Sequence, residues 1–174
     1  MVVTNYSYTM NAASGVAKQA ARDIEAWLLA KPEAIEVINV EDSSDYREKD
    51  IDLIYKYRNK AGAELTTSIE IKGDRWHRTG NYFLETTSND QKKTPGCFIY
   101  SEADWLFYYF VEIRQLHIIP MLEARKWFTD NINDFKEKKT MTPLANGSHY
   151  NTVGRLVPVN VLQKAVTKIK VVNI

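Results

Sequence analysis

The sequence predicts an α/β (α+β) domain in which a central mixed β-sheet is flanked by helices. Three observations carry the prediction. Ile51 to Lys72 reads as a β-hairpin, because apolar and polar residues alternate with period 2 on both sides of a turn. A helical stripe precedes the hairpin: Val16, Ala20, Ile24, Trp27 and Leu28 recur at helical spacing. Beyond the hairpin, short β-branched and aromatic runs are followed by an amphipathic stretch from Met121 to about Phe135.

Composition limits the function classes. At 174 residues, a single domain over residues 1–174 is the simplest organisation and can bury a real core. Apolar content of 44% and charged content of 26% fit an ordinary globular chain. Net charge is +1, so any binding to nucleic acid must come from a local basic patch. Cys97 is the sole cysteine, which excludes an intramolecular disulfide and an internally ligated iron–sulfur or four-cysteine zinc site. The longest apolar run, Trp105 to Val111, is far short of a membrane span, and the first ten residues lack the pattern of a signal peptide. No membrane partner and an intracellular, cytoplasmic location are therefore expected. The glycines form no phosphate-binding loop. His77, His117 and His149 lack metal-type spacing, and there is no Gly-x-Ser-x-Gly elbow.

The first helix is expected to run to about Ala30, capped by Asn11 or Ser14 and stopped at Lys31-Pro32. Ala34 to Glu41 reads as a strand with Ile35 and Val37 on one face. A polar loop carries Asp42, Asp45 and Asp50. In the hairpin, Arg58 to Gly62 supplies the turn, with Gly62 free to take positive φ. Gly73 to Gly80 is expected to be a loop, Asn81 to Thr86 a strand, and Ser88 to Gly96 a flexible loop. Cys97 to Tyr100 reads as a short buried strand, which makes Cys97 inert. Ser101 to Asp104 reads as the capped start of a short helix, with Asp104 in its first turn. Two strands over Leu106–Ile113 and Gln115–Ile119 meet at a turn near Arg114; one helix through this region is the alternative, and the aromatic density favours strands. The helix from Met121 ends in the cations of Lys136 to Lys139. Thr140 to Thr152 is expected to be a loop, and Val153 to Val159 an edge strand because Pro158 lacks a donor. Asn160 caps a short last helix, after which the chain closes on an apolar tail. Arg155, Lys164, Lys168 and Lys170 extend a basic face or are scattered solubility charges.

The hairpin also carries chemistry. With the turn near Lys60 and Ala61, Asp52 falls opposite Ile69 or Glu70, at roughly 4.5–5.5 Å between Cα atoms. Glu70 and Lys72 share a strand face. Two carboxylates and an ammonium then converge. Mg²⁺ takes oxygen ligands, commonly one or two carboxylates plus water and substrate phosphate, so Asp52 and Glu70 suit it and the Ile71 carbonyl can add a ligand. Loop aspartates are usually turn residues, which sets Asp45 and Asp50 behind Asp52.

Asp52 followed 18 residues later by Glu70-Ile71-Lys72 resembles the core of the PD-(D/E)XK nuclease superfamily. No proline stands in Lys49 to Asp52. The resemblance spans roughly residues 14–135 in element order and implies a restriction-endonuclease-like core. It further implies that these three positions bind Mg²⁺, with Mn²⁺ able to substitute, and activate water for hydrolysis of DNA phosphodiesters. By the same resemblance, Glu25 on the first helix is a metal-site candidate; otherwise it is a solvated glutamate beside Arg22. The segments Thr79 to Glu85 and Ser101 to Phe110 are similar to those of small phage and restriction-type relatives, which fits a phage- or mobile-element-borne protein. Glu85 is then a further metal ligand or second carboxylate, or else a cross-strand partner for a lysine or arginine. Arg75, Trp76, His77 and Arg78 form either a substrate loop that holds phosphate and stacks on a base or a cationic surface turn. Lys92 and Lys93 reach the DNA backbone or form a solvated tip. Structure-specific or resolvase-like cleavage by a homodimer is the expected mode, since two symmetric sites suit two strands. The alternative is a non-catalytic nucleic-acid-binding or assembly subunit that keeps the fold.

Overall fold

The computed structural model describes residues 10–144 and 147–174. Strands among these residues form two sheets. The larger has the order β1 (Ala34–Asn39), β2 (Leu53–Arg58), β3 (Glu64–Asp74), β6 (Trp105–Phe110), β7 (Gln115–Pro120), β10 (Lys170–Asn173), and the smaller β5 (Thr94–Pro95), β4 (Asn81–Asn89), β9 (His149–Pro158), β8 (Lys136–Pro143). In the larger sheet, β1, β2 and β3 form an antiparallel meander. β6 lies parallel to β3, and β7 and β10 continue antiparallel. The sheet is therefore mixed, as expected.

Helix α1 (Met10–Leu29) covers one face of this sheet. Ala20, Ile24 and Leu28 pack on Leu53, Tyr55, Ile69, Phe107 and Tyr109. Contact is closest at Gly73, where an added Cβ would come within 3.0 Å of Ala20 Cβ and Val16 O. The residue read as the start of a loop is thus the floor of the helix contact, and β3 runs on to Asp74. The opposite face carries Ile54, Leu106, Tyr108, Phe110 and Ile119. It is covered by α4 (Met121–Asn131), α5 (Val159–Ala165) and the smaller sheet through Tyr82, Leu84, Phe128, Val157 and Leu162.

The hairpin forms as the alternation requires. Leu53 pairs with Ile69 and Arg58 with Glu64. The turn closes on Asn59, whose Oδ1 accepts from the amides of Ala61 and Ala63, both at 3.0 Å, and Gly62 has φ +84°. The tight turn at Arg114 is present with φ +53°.

Several elements differ from expectation. The smaller sheet contains the strands expected at Asn81 to Thr86 and from Val153, and adds strand where a loop and a helix end are expected. Lys136 to Pro143 is a strand, β8, and α4 stops at Asn131. His149 to Pro158 is β9, which lies between β4 (Asn81–Asn89) and β8, so Val153 to Pro158 is not an edge. Pro158 is tolerated because it ends the strand. β5 (Thr94–Pro95) forms the edge beside β4. Cys97–Tyr100 is a helical turn, α3, and not a strand. Ser101 to Asp104 is not helical. Asp104 instead ties to β3: its Oδ2 accepts from the amide and hydroxyl of Ser68 and from the Thr67 hydroxyl, at 2.8–2.9 Å. In β1 a bulge between Ala34 and Glu36 turns Ile35 outward, so it does not share the face of Val37. The last helix begins at Val159 with Pro158, not Asn160, at the cap.

Candidate metal centre

The polar residues of the hairpin lie on the sheet face turned away from α1, between β3 and the smaller sheet. Glu70 and Lys72 point to that side because Ile69 and Ile71 are committed to the α1 side. The pairing of Leu53 with Ile69 sets Asp52 opposite Glu70. The backbone holds Asp52 on both sides: its amide donates to Ile69 O at 2.9 Å, and its carbonyl accepts from Val40 N at 2.8 Å. Its Oδ2 accepts from the Ile71 amide at 2.8 Å, past the last rung of the β2–β3 ladder. Ile71 thus meets the cluster through its N–H, while its side chain joins the α1 core.

The Asp52 and Glu70 carboxyls face each other closely enough that, on top of burial, the charge of Asp52 raises the Glu70 pKa. Burial pushes Asp52 up to about 6; the Ile71 amide opposes that rise, and Asp50 and Glu41 add to it. Glu70 is 6% exposed, and burial, with Asp52 and Asp50 beside it, raises its pKa well above the usual carboxylate range. Its Oε2 is buried without a hydrogen-bond partner.

Asp50, set aside as a turn residue, belongs to this cluster. It holds φ +53°, a conformation that Asp tolerates better than most residues. The buried Ser101 hydroxyl donates to its carbonyl at 2.8 Å, and Glu102 N bonds Lys49 O at 2.8 Å. These contacts fold the loop inward. The Asp50 Oδ2 is buried without a hydrogen-bond partner. Burial raises its pKa, and Glu85 adds to the rise.

Cys97 is the second residue the sequence reading passed over. Its Sγ, a Glu70 carboxylate oxygen and an Asp50 carboxylate oxygen lie within 4.8 Å of one another. The close approach is possible because Gly96 precedes it: a Cβ there would come within 2.5 Å of the Glu85 backbone. Arg125 of α4 steadies the other end of α3, donating to Phe98 O at 2.8 Å and to Ser101 O at 2.5 Å. Burial, and then the Glu85 carboxylate, push the Cys97 thiol well up, which favours the neutral thiol.

Lys72 pairs with Glu85 of β4, and both side chains are largely covered, at 29% and 14% exposed. Burial works to lower the Lys72 pKa, but the facing Glu85 outweighs it and holds it above the ordinary value. Lys72 is therefore a fixed ammonium. Glu85 takes the cross-strand-partner role and reaches the cluster through Lys72.

Other candidates lie further out. Glu25, half-buried on α1, lines a groove with Arg22, Asn39 and Glu41. Asp50 and Asp52 line a second groove, which also includes Glu41, Asp42 and Arg47. This groove connects the Asp52 side of the cluster to solvent. Arg75 to Arg78 follow the end of β3, and Arg75 stands roughly 10 Å along the chain from Lys72 at about 3.3 Å per residue. Trp76 is 42% exposed, and its amide donates to Asp74 Oδ1 at 2.7 Å. His77 Nδ1 lies 3.4 Å from Glu112. Lys92 and Lys93 occupy the exposed β4–β5 turn. Arg155 and Lys168, offered to a basic face, are ion-paired to Glu137 and Glu123.

No protein-family model, curated protein or solved structure matches this chain. The functional reading therefore rests on the geometry of this cluster and on the motif in the hairpin. Among the described residues, no helix is long and apolar enough to cross a membrane.

Proposed function

We propose that the chain is a Mg²⁺-dependent deoxyribonuclease with a restriction-endonuclease-like core and its centre at Asp52, Glu70 and Lys72. One observation carries the reading: the strand register sets Asp52 opposite Glu70, and Glu70 Oε2 is buried with no partner. An acidic pair buried this way is costly without a cation, and the donor set is the oxygen set that Mg²⁺ or Mn²⁺ takes. The element order supports the core: a leading helix, a three-stranded meander, and then a strand parallel to the third.

Asp52 and Glu70 would hold the ion, which when bound supplies Lewis-acid polarisation of phosphate and a more acidic water. The Ile71 amide fixes the orientation of Asp52. Lys72, kept protonated by Glu85, orients the attacking water and offsets the charge that grows on the phosphate. It does not act as the base. Substrate enters from the groove beside Asp50 and Asp52, and Arg75 and Arg78 hold the backbone while Trp76 offers an exposed stacking face.

The test is a substrate panel of supercoiled plasmid, linear duplex, single strands, a four-way junction and RNA, incubated with Mg²⁺, Mn²⁺ or EDTA. The expected result is DNA cleavage in either metal, absent in EDTA and in Glu70→Gln. DNA binding without cleavage of any substrate would favour a binding subunit that keeps the fold.

A further inference from the structure

We infer that Asp50, Glu70 and Cys97 form a thiolate-bearing site for a divalent cation of the Zn²⁺ class, beside the Asp52–Glu70 pair. The three ligand atoms lie within 4.8 Å of one another. A tetrahedral ion roughly 2.0–2.3 Å from its ligands sets them about 3.3–3.8 Å apart, so closure from the 4.8 Å bound takes shifts of up to about 1 Å. Two further observations aim the cluster at a cation. Glu70, 6% exposed, presents Oε2 with no hydrogen-bond partner, and Asp50 Oδ2 is likewise buried and unpartnered.

The ligand chemistry selects the ion. A sulfur ligand favours Zn²⁺, Co²⁺ or Cd²⁺ over Mg²⁺, which prefers an all-oxygen shell and keeps its water. With three protein ligands, a tetrahedral ion keeps one position for water or a phosphate oxygen. Binding breaks the Cys97 S–H bond and forms a sulfur–metal bond, and the proton leaves to solvent. The protein already holds the geometry: Gly96 lets Cys97 approach β4, Ser101 folds the Asp50 loop inward, and Arg125 anchors the segment after the thiol. The inference shares Glu70 with the proposed nuclease centre but does not require cleavage.

The test is a Co²⁺ titration of the full chain under reducing conditions, read by absorption, with plasmid cleavage in Mg²⁺ measured on the same preparations. Cys97 is the sole cysteine, so a sulfur-to-cobalt charge-transfer band can come only from it. The expected result is a near-ultraviolet band that saturates at one Co²⁺ per chain and survives excess Mg²⁺. It is lost in Cys97→Ser, weakened in Asp50→Asn and Glu70→Gln, and retained in Lys72→Ala. No band in the parent protein would overturn the inference. So would a band that Asp50→Asn and Glu70→Gln leave unchanged, since the ion would then sit elsewhere around the thiol. Cleavage without a band would sink this inference alone, and a band without cleavage of any substrate in the panel would support it while removing the nuclease reading.

Discussion

Asp52→Asn should make the metal-free protein more stable at pH 8 while abolishing its cleavage. An Asp carboxyl in the unfolded chain ionises near 3.8, whereas in the folded chain Asp52 holds its proton up to about 6. Between these values the folded state binds a proton that the unfolded state has lost. Stability therefore falls as pH rises through that window, and the full penalty stands above it. At 1.36 kcal/mol per tenfold, the gap amounts to about 3 kcal/mol. The substitution removes the ionisation but keeps an oxygen to accept the Ile71 amide. The gain should be small near pH 4 and reach about 3 kcal/mol at pH 8. For a chain of this size that is roughly 6–12 °C in melting temperature. The assay is thermal melting in EDTA at both pH values, taken as variant minus parent. The difference cancels His117, which acts in the opposite direction. Burial lowers His117 to about 4, so it costs stability as pH falls from 6.5 toward 4. A pH-independent difference, or a variant less stable at pH 8, would refute the assignment of Asp52 as a buried, proton-holding carboxyl.

Two further substitutions probe the frame around the site. Tyr108 is fully buried, donates to Asp74 and accepts from the Phe83 amide at 3.0 Å, so its hydroxyl links β3, β6 and β4. Tyr108→Phe leaves both partners unsatisfied and should cost about 1–3 kcal/mol in urea unfolding; an unchanged midpoint would contradict the link. Gly96→Ala drives a methyl into the Glu85 backbone and should cost about 1–3 kcal/mol. Because the shift falls between Cys97 and Glu85, it should also impair cleavage in protein that remains folded, and full activity with full stability would show that the contact relaxes freely.

The hairpin was legible because its signal is local. Ile51 to Lys72 alternates on both arms, and Gly62 supplies the turn, so the face shared by Glu70 and Lys72 follows from parity alone. The smaller sheet was legible only in part: Asn81 to Thr86 and Val153 to Pro158 read as strands and lie in β4 and β9, whereas β8 gave no such signal. β8 (Lys136–Pro143) opens on four charged, exposed residues, Lys136 to Lys139, so it carries no apolar alternation and mimics a helix end. Its strand state comes from pairing with β9, which sequence spacing does not show. α3 is four residues long, too short for a helical period, and its aromatic content mimics a strand. Asp50 and Asp104 were misjudged for one reason: each is decided by partners far away in the chain. Ser101 draws the Asp50 loop inward from 51 residues away, and Asp104 is claimed by Ser68, 36 residues back. The pairing of Lys72 with Glu85 required knowing that β4 leaves the main sheet and crosses its face.

The most direct test of the central claim is the rate of supercoiled-plasmid cleavage by the parent protein and Lys72→Ala in Mg²⁺, each with an EDTA control. The account predicts that the parent nicks or linearises the plasmid only with metal. It also predicts that Lys72→Ala loses cleavage by about 100-fold or more, the scale for losing one preorganised group that stabilises charge, while still binding Mg²⁺ at Asp52 and Glu70. A Lys72→Ala variant that cuts as fast as the parent, or a parent that cuts equally well in EDTA, would contradict it.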